Sequence, residues 1–342
     1  MLDRNLTDRE KQVLQALIDH YVTTAKPVGS RTLATRYSLG ISPATIRNTM
    51  SDLEDLGLIT NMHTSSGRIP TDFGYRVYVD FVLKPQVLTD AERRKIKSAL
   101  QLENLALGPI LEQTSRVLAY ISNQLGVSIA PKFEAGILSR ITMVPVAEKR
   151  VLVVIAAKSG LVRSIIMEVE TDLAPEVVEK TAILLTERLS GTSFAEIKDT
   201  IRDRLQGLSE GDPVLLELLL ESYNELFSER FDGIHFEGAS NLVKQPEFSS
   251  IDRFSQVVGL VEDRTFLAKL ISADKFGSGT HVTIGHELES ETMNSMSLVT
   301  SSFKAGKSKG ILGVMGPTRM PYSRIVSVVD FTAKMLSKML SK

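Results

Sequence analysis

The residues best placed to do chemistry lie near the start of the chain. Between Asp19 and Asp52 there is no Asp or Glu, while Lys26, Arg31, Arg36 and Arg47 lie there. A second acid-free window, residues 56–71, holds Arg68. Cations unopposed by carboxylates neutralise phosphates, and Arg, Asn and Thr side chains hydrogen-bond to base edges. The chemistry on offer is recognition of a polyanion rather than the making or breaking of bonds.

Local signals predict how these residues are held. Thr7-Asp8-Arg9-Glu10 is a capping box, and Val13, Leu14, Leu17, Ile18 and Tyr21 follow at helical spacing, which predicts a helix over about residues 8–21. Residues 26–29 (KPVG) break the chain, and Ser30 can cap a short helix over 31–38. After a turn at Leu39-Gly40-Ile41, Ser42-Pro43 starts a third helix with Ser as N-cap and Pro at N1. Ile46, Met50 and Leu53 form its inner face; Thr45, Arg47, Asn48 and Ser51 are free to face outward, and Gly57 ends it. Two short strands, 58–60 and 68–69, flank a polar turn with Ser66-Gly67, which makes a wing. Thr71 or Asp72 caps a further helix carrying Phe73, Val77, Tyr78, Phe81 and Val82, expected to pack on the wing or across a dimer seam. This is a winged helix-turn-helix, which puts the start of its last core helix into a DNA major groove. That end is polar and cationic, and its free N–H groups and dipole also favour phosphate.

The motifs PVGSRTL (27–33), SPATIRN (42–48), DLEDLGL (52–58) and HTSSGRIPTD (63–72) resemble the N-terminal region of the HrcA family of heat-inducible transcription repressors, and the resemblance returns at LGVMGPTRMPY (312–322). It spans essentially the whole chain. Ser66, Thr49 and Phe73 depart from the residues expected there, which are Ala, Glu or Val, and Lys. The resemblance implies an α+β multidomain protein: a winged helix-turn-helix over 1–82, a GAF-like α+β domain over 83–170 and 241–342, and an inserted helical dimerisation domain over 171–240. It implies a homodimer on an inverted-repeat operator, the CIRCE element before chaperone operons, with the chaperonin GroEL keeping the repressor active until heat diverts it. On this reading Ala44, Thr45, Arg47 and Asn48 reach base edges, and Ser30, Arg31, Thr32 and Ser42 hold phosphates. His63, Thr64, Ser65, Ser66 and Arg68 grip the backbone beside the site. A small-molecule-sensing winged-helix regulator that uses the GAF-like domain is the alternative.

Beyond residue 83 a connector runs to Thr89, which caps a helix from about Ala91. Leu105, Leu111, Val117, Leu118, Ile121 and Leu125 recur at helical steps, with Gly108-Pro109 as a break. Strands are expected at 137–144, 150–157 and 162–170 with antiparallel-meander spacing. Residues 174–229 read as helical: a stripe of Val178, Ile183, Leu184 and Leu189, then a leucine-rich helix opened by Asp212-Pro213. Strands return at 280–284, 297–303 and 310–316, and a helix closes the chain over 324–340 with Ile325, Val328, Val329 and Met335 inward. This order suggests one α+β sheet interrupted by a helical insertion.

Several other chemistries are excluded. The 342 residues contain no cysteine, so disulfides, thiolate metal sites and thiol nucleophiles are impossible, which fits a reducing cytoplasm. Lys+Arg 40 against Asp+Glu 41 gives a net charge of −1, so the distribution of charge carries the argument, not its total. The longest strongly apolar run, residues 151–157, is far short of a membrane span, and the N-terminus has no apolar core, so no secretory signal and no membrane partner are expected. Ala305-Gly306-Lys307-Ser308 imitates a P-loop but lacks its first glycine and joins two strands. The glycines of residues 310–316 lack a dinucleotide fingerprint and are expected to ease strand packing. His281 and His286 have no metal spacing, and His20 and His235 read as surface or satisfied core residues. No enzyme activity, cofactor or metal is expected. Lys304, Lys307, Lys309, Arg319 and Arg324 fill an acid-free stretch, readable as an anion site or as a solvated sheet edge guarded by lysines.

Overall fold

In a computed structural model of the chain, described for residues 6–61, 67–100, 107–131, 136–170, 172–205, 233–263, 278–306 and 308–340 with isolated positions over 212–217 and 266–271, the expected N-terminal elements are all present. They are α1 (Asp8–Thr24), α2 (Ser30–Arg36), α3 (Pro43–Asp55), β1 (Ile59–Asn61), β2 (Arg68–Pro70) and α4 (Asp72–Val77). A single π-helical turn, Tyr78–Val82, extends α4. The Thr7 capping box forms: Thr7 N donates to Glu10 Oε2 at 2.7 Å and Glu10 N donates to Thr7 Oγ1 at 3.3 Å. Ser42 caps α3 with Pro43 in its first turn, and Gly57 leaves the helix at φ +71°, a conformation that costs glycine nothing. Val13, Leu14, Leu17, Leu33, Ile46 and Leu53 are sealed inside, the apolar faces that the spacing indicates.

α5 (Asp90–Leu100) is capped by Thr89 through a second box with Glu92. Then come α6 (Leu107–Ser122) and β3 (Leu125–Ile129). Gly108-Pro109 lies in the first turn of α6, where a proline is harmless, rather than between two helices. Leu125 is not the end of the helical stripe but the start of a strand. The short run LGVSI carries too little local signal to separate the two, and its pairing with a strand nearly two hundred residues away decides it. Gly126 allows that strand to lie against α6, since a Cβ there would meet Ser115 O at 2.0 Å.

The meander follows as β4 (Leu138–Ala147), β5 (Arg150–Ala157) and β6 (Val162–Glu168), with α7 (Pro175–Leu189) and α8 (Phe194–Leu205) after it. Next are β7 (Ile234–Glu237), α9 (Ala239–Val243), α10 (Ile251–Glu262), β8 (Thr280–Ile284), β9 (Met296–Ala305), β10 (Ser308–Pro317) and α11 (Tyr322–Leu340). The antiparallel five-stranded sheet has the order β7-β3-β10-β9-β8, whereas β4-β5-β6 form a separate three-stranded sheet. The expectation of one interrupted sheet is thereby corrected. Val153, Ile155, Met167 and Val169 share a core with Val178, Leu185, Phe194 and Ile197, so the meander belongs with the helices that follow it. The expected boundary at residue 171 falls inside that core. On α7, Val178 and Leu189 are buried as the stripe predicts, but Leu185 takes the inward place expected of Ile183, which is 49% exposed. Most of the leucine-rich segment after Asp212 lies outside the described residues, although Leu215 is buried.

One face of the five-stranded sheet, with Val299, Phe303, Leu312 and Val314, packs under α6 and α11; its core continues without a gap into that of α1–α4. The opposite face buries Leu298, Ile311 and Met315 with Leu242 and Phe248. Gly310 and Gly313 do ease strand packing: a Cβ would meet the Phe303 ring at 2.3 Å and Val299 O at 2.5 Å. Ala305 pairs with Ser308 across a hairpin, so the P-loop resemblance has no helix to lead into.

Candidate nucleic-acid interface

The leading turn of α3 is built by its own side chains. Ser42 Oγ accepts from Thr45 N at 3.1 Å and lies 2.9 Å from Thr45 Oγ1, while Thr49 Oγ1 donates back to Thr45 O at 3.1 Å. Ile46, Thr49, Met50 and Leu53 anchor the helix inward. This leaves Ser42, Ala44, Arg47 and Asn48 exposed on one end, with Thr45 half-buried beside them. No acid stands in that first turn. Arg31 is exposed on α2 with Thr32 half-buried next to it, and neither Arg31 nor Arg47 has an acid partner among the described residues. An unpaired, solvated guanidinium loses little on meeting a phosphate or a base edge, because no internal bond has to break first.

Ser30 behaves differently from expectation. Gly29 is the N-cap of α2, with no side-chain cap bond, and Ser30 is only 9% exposed. The loop before α2 is pulled into the wing, where Val28 and Arg68 exchange both backbone hydrogen bonds, at 3.0 and 2.9 Å. That bridge turns Ser30 inward. It also explains Gly67, where a Cβ would meet the Val28 backbone at 2.5 Å. On the other side of α2, burial and then the Arg36 guanidinium hold the His20 imidazole below its ordinary pKa, and the ring meets Tyr37 edge-on.

Arg68 does not point freely at solvent. Its Nε donates to Glu54 Oε2 at 2.9 Å, and Asn61 Nδ2 donates to Glu54 Oε1 at 2.8 Å. One carboxylate on α3 therefore holds both arms of the wing. Glu54 lies in the distal half of α3, and its pairing with Asn61 and Arg68 needs the folded hairpin. The wing tip, with His63, Thr64, Ser65 and Ser66, lies outside the described residues.

α4 packs on the base of the wing, where Gly74 leaves no room for a Cβ beside Leu58 O, and also on the five-stranded unit. Tyr75, absent from the expected core, is buried against Tyr322 with ring centroids 5.7 Å apart. Phe73 and Phe81 stay exposed. The cations of the last acid-free stretch also resolve differently. Lys304 and Lys309 pair at the exposed end of the β9–β10 hairpin, beyond the residues that β8 and β3 pair, and Lys307 lies outside the described residues. Arg319 is buried and paired with Glu247, and Arg324 donates to Glu92 Oε1 at 2.8 Å. Among the described residues no cluster of His, Asp and Glu could hold a metal ion, and no helix is long and apolar enough to cross a membrane.

Comparison with known proteins agrees with this geometry. Residues 5–79 match the family model described as the winged helix-turn-helix transcription repressor, HrcA DNA-binding, and residues 109–326 match the HrcA protein C terminal domain. The heat-inducible transcription repressor HrcA of Prosthecochloris aestuarii is 38% identical over 98% of both chains. That of Geobacter sulfurreducens is 35% identical over 98% of both. A crystal structure known only as that of a hypothetical protein superposes with a TM-score of 0.64 at 24% identity, covering 98% of this chain and 99% of the other, which supports the fold.

Proposed function

We infer function from one premise: the chain belongs to the HrcA family of heat-inducible transcription repressors. It is a transcription repressor with a winged-helix DNA-binding domain, not an enzyme. We propose that it binds an inverted-repeat operator of the CIRCE type as a homodimer in the cytoplasm and blocks transcription of chaperone operons by occluding them. Heat releases it, and the GroEL chaperonin sustains the active form. The observation that carries the DNA reading is the exposed, acid-free leading turn of α3 with its unpaired Arg47.

Arg47, Asn48, Thr45 and Ala44 are proposed to meet base edges, and Arg31, Thr32 and Ser42 to hold phosphates. Ser30 acts through its backbone position. His63, Thr64, Ser65 and Ser66 would follow the neighbouring groove, while Arg68 orients the wing through Glu54. The winged-helix unit is assigned to 1–82. A second core unit, with β4–β6, α7 and α8, interrupts the five-stranded unit.

A single winged module buries about 600–1,000 Å² against DNA, too little for operator selectivity in a genome, so two copies are required. The outer face of the β4-β5-β6 sheet supports this. Val144, Leu152 and Ile166 stand in one cross-strand row, and Val144 and Ile166 are 45% and 60% exposed. An apolar sheet face this open suits a second copy. The test is a gel shift on an inverted-repeat duplex against a scrambled one across a salt series. Selective binding is expected to persist as salt rises; equal affinity for both duplexes with a steep salt slope would leave only backbone attraction.

A further inference from the structure

We propose that Arg319 and Arg76 are positioning residues for operator recognition: together they clamp the winged-helix unit to the five-stranded unit, and so set the distance between the two reading helices of a dimer. The proposal rests on the reading of the protein as a dimeric binder of an inverted repeat.

Arg319 sits in the loop between β10 and α11, with its side chain 10% exposed. Its Nε donates to Glu247 Oε1 at 2.6 Å, and its second terminal nitrogen donates to Glu247 Oε2 and Gln245 Oε1, both at 3.2 Å. The remaining nitrogen crosses to the other unit and donates to Val22 O, near the C-terminal end of α1. The last turn of α1 has no basic residue of its own. Arg319 supplies the cation that the carbonyl end of that helix favours. Four of its five N–H donors are spent inside the protein, which explains why an arginine so far along an acid-free stretch is no anion site.

Arg76, on α4, makes the second point of attachment. Nε donates to Glu287 Oε1 at 2.8 Å, and another nitrogen donates to Val282 O at 2.6 Å, both in the five-stranded unit. Beside it Asp72 Oδ2 accepts from His286 N at 3.2 Å, in a fit so close that a Cβ on Gly285 would lie 2.0 Å from that oxygen. The two clamps hold different helices, α1 and α4, so the unit cannot pivot about either one. Neither touches the leading turn of α3, which stays exposed while the unit is docked. The docking therefore positions the reader rather than covering it. A reader swinging on the connector at 83–89 would accept many half-site distances; a docked one accepts few, because half-site spacing on DNA is a geometric constraint.

The test uses the full chain and three duplexes: the inverted repeat, the same repeat with its spacer changed by about 5 base pairs, roughly half a helical turn, and a single half-site. The unaltered protein is expected to lose at least about tenfold in affinity when the spacer changes. Arg319→Gln combined with Arg76→Gln is expected to shrink that ratio several-fold while half-site affinity stays unchanged. A folded, dimeric double variant that keeps the wild-type spacing ratio overturns the proposal. Should the double variant fail to fold, Glu287→Gln, at the more exposed clamp, decides by the same ratio. If the unaltered protein shows no preference for the inverted repeat at all, the operator reading fails and the clamp's role falls with it.

Discussion

Arg68 reaches across fourteen residues of chain to Glu54, its Nε 2.9 Å from the carboxylate, so the wing and the helix proposed to read DNA are held by one ion pair. Both side chains are 28% exposed, and a pair this solvated contributes under about 1 kcal/mol to stability. Glu54→Gln should therefore leave the melting temperature nearly unchanged. It should lower the ratio of operator to random-DNA affinity, because the wing loses its register and Arg68 becomes a free cation. Gel shifts on both duplexes check this, and an unchanged ratio would remove Glu54 from the site.

Arg47→Ala should weaken operator binding by about 1–3 kcal/mol and relax discrimination at one base position, as for an arginine that reads a base edge. A panel of operators with single-base changes measures it. Uniform weakening across the panel would move Arg47 to a phosphate role.

Ser42 serves fold and surface at once, since its Oγ accepts from Thr45 N at 3.1 Å. Ser42→Ala should destabilise the winged-helix unit by about 1 kcal/mol. Ser42→Asp should restore the cap and yet impair DNA binding, because it sets an anion where phosphate is expected. Denaturant melts beside gel shifts separate the two effects; a well-folded Asp variant that binds normally would refute the placement of this turn against DNA.

Ile166→Lys, on the open face of the β4-β5-β6 sheet, should turn a dimer into monomers in sedimentation experiments without unfolding the chain. Its side chain is 60% exposed, so the monomer's own core is untouched. A lysine variant that remains dimeric would direct the search for the interface elsewhere.

Alkaline stability should follow the buried phenols. Burial, and next the Asp19 carboxylate, push Tyr78 up to about 12, and burial raises Tyr75 and Tyr322 as well. In the unfolded chain a tyrosine ionises near 10. The raised folded-state value means that the contribution of Tyr78 is complete below about pH 10 and is lost between about 10 and 12. Urea titrations at pH 8, 10 and 11 should show this fall, with Tyr78→Phe flattening part of it. Equal stability at all three values would contradict it.

The winged helix was legible because its signals are local. Thr7 with Glu10, Ser42 with Pro43, and Thr71 before α4 are caps set within four residues, and Ile46, Met50 and Leu53 mark an inner face by spacing alone. The meander of β4, β5 and β6 was legible for the same reason, since its turns at Lys149 and Gly160 join neighbouring strands. What a strand pairs with beyond its neighbour is not local: β3 was invisible until β10 and β7 closed on it.

The amino-acid sequence by itself determined the helix starts, the wing, the polar cationic end of α3 and the family likeness, because each depends on residues close along the chain. Tertiary structure alone decided which cations remain available. Arg31 and Arg47 stay open, while Arg68, Arg76 and Arg319 are taken by Glu54, Glu287 and Glu247. The physical reason is that a charge is neutralised by what lies near it in space, and for Arg319 those groups are 72 and 297 residues away along the chain.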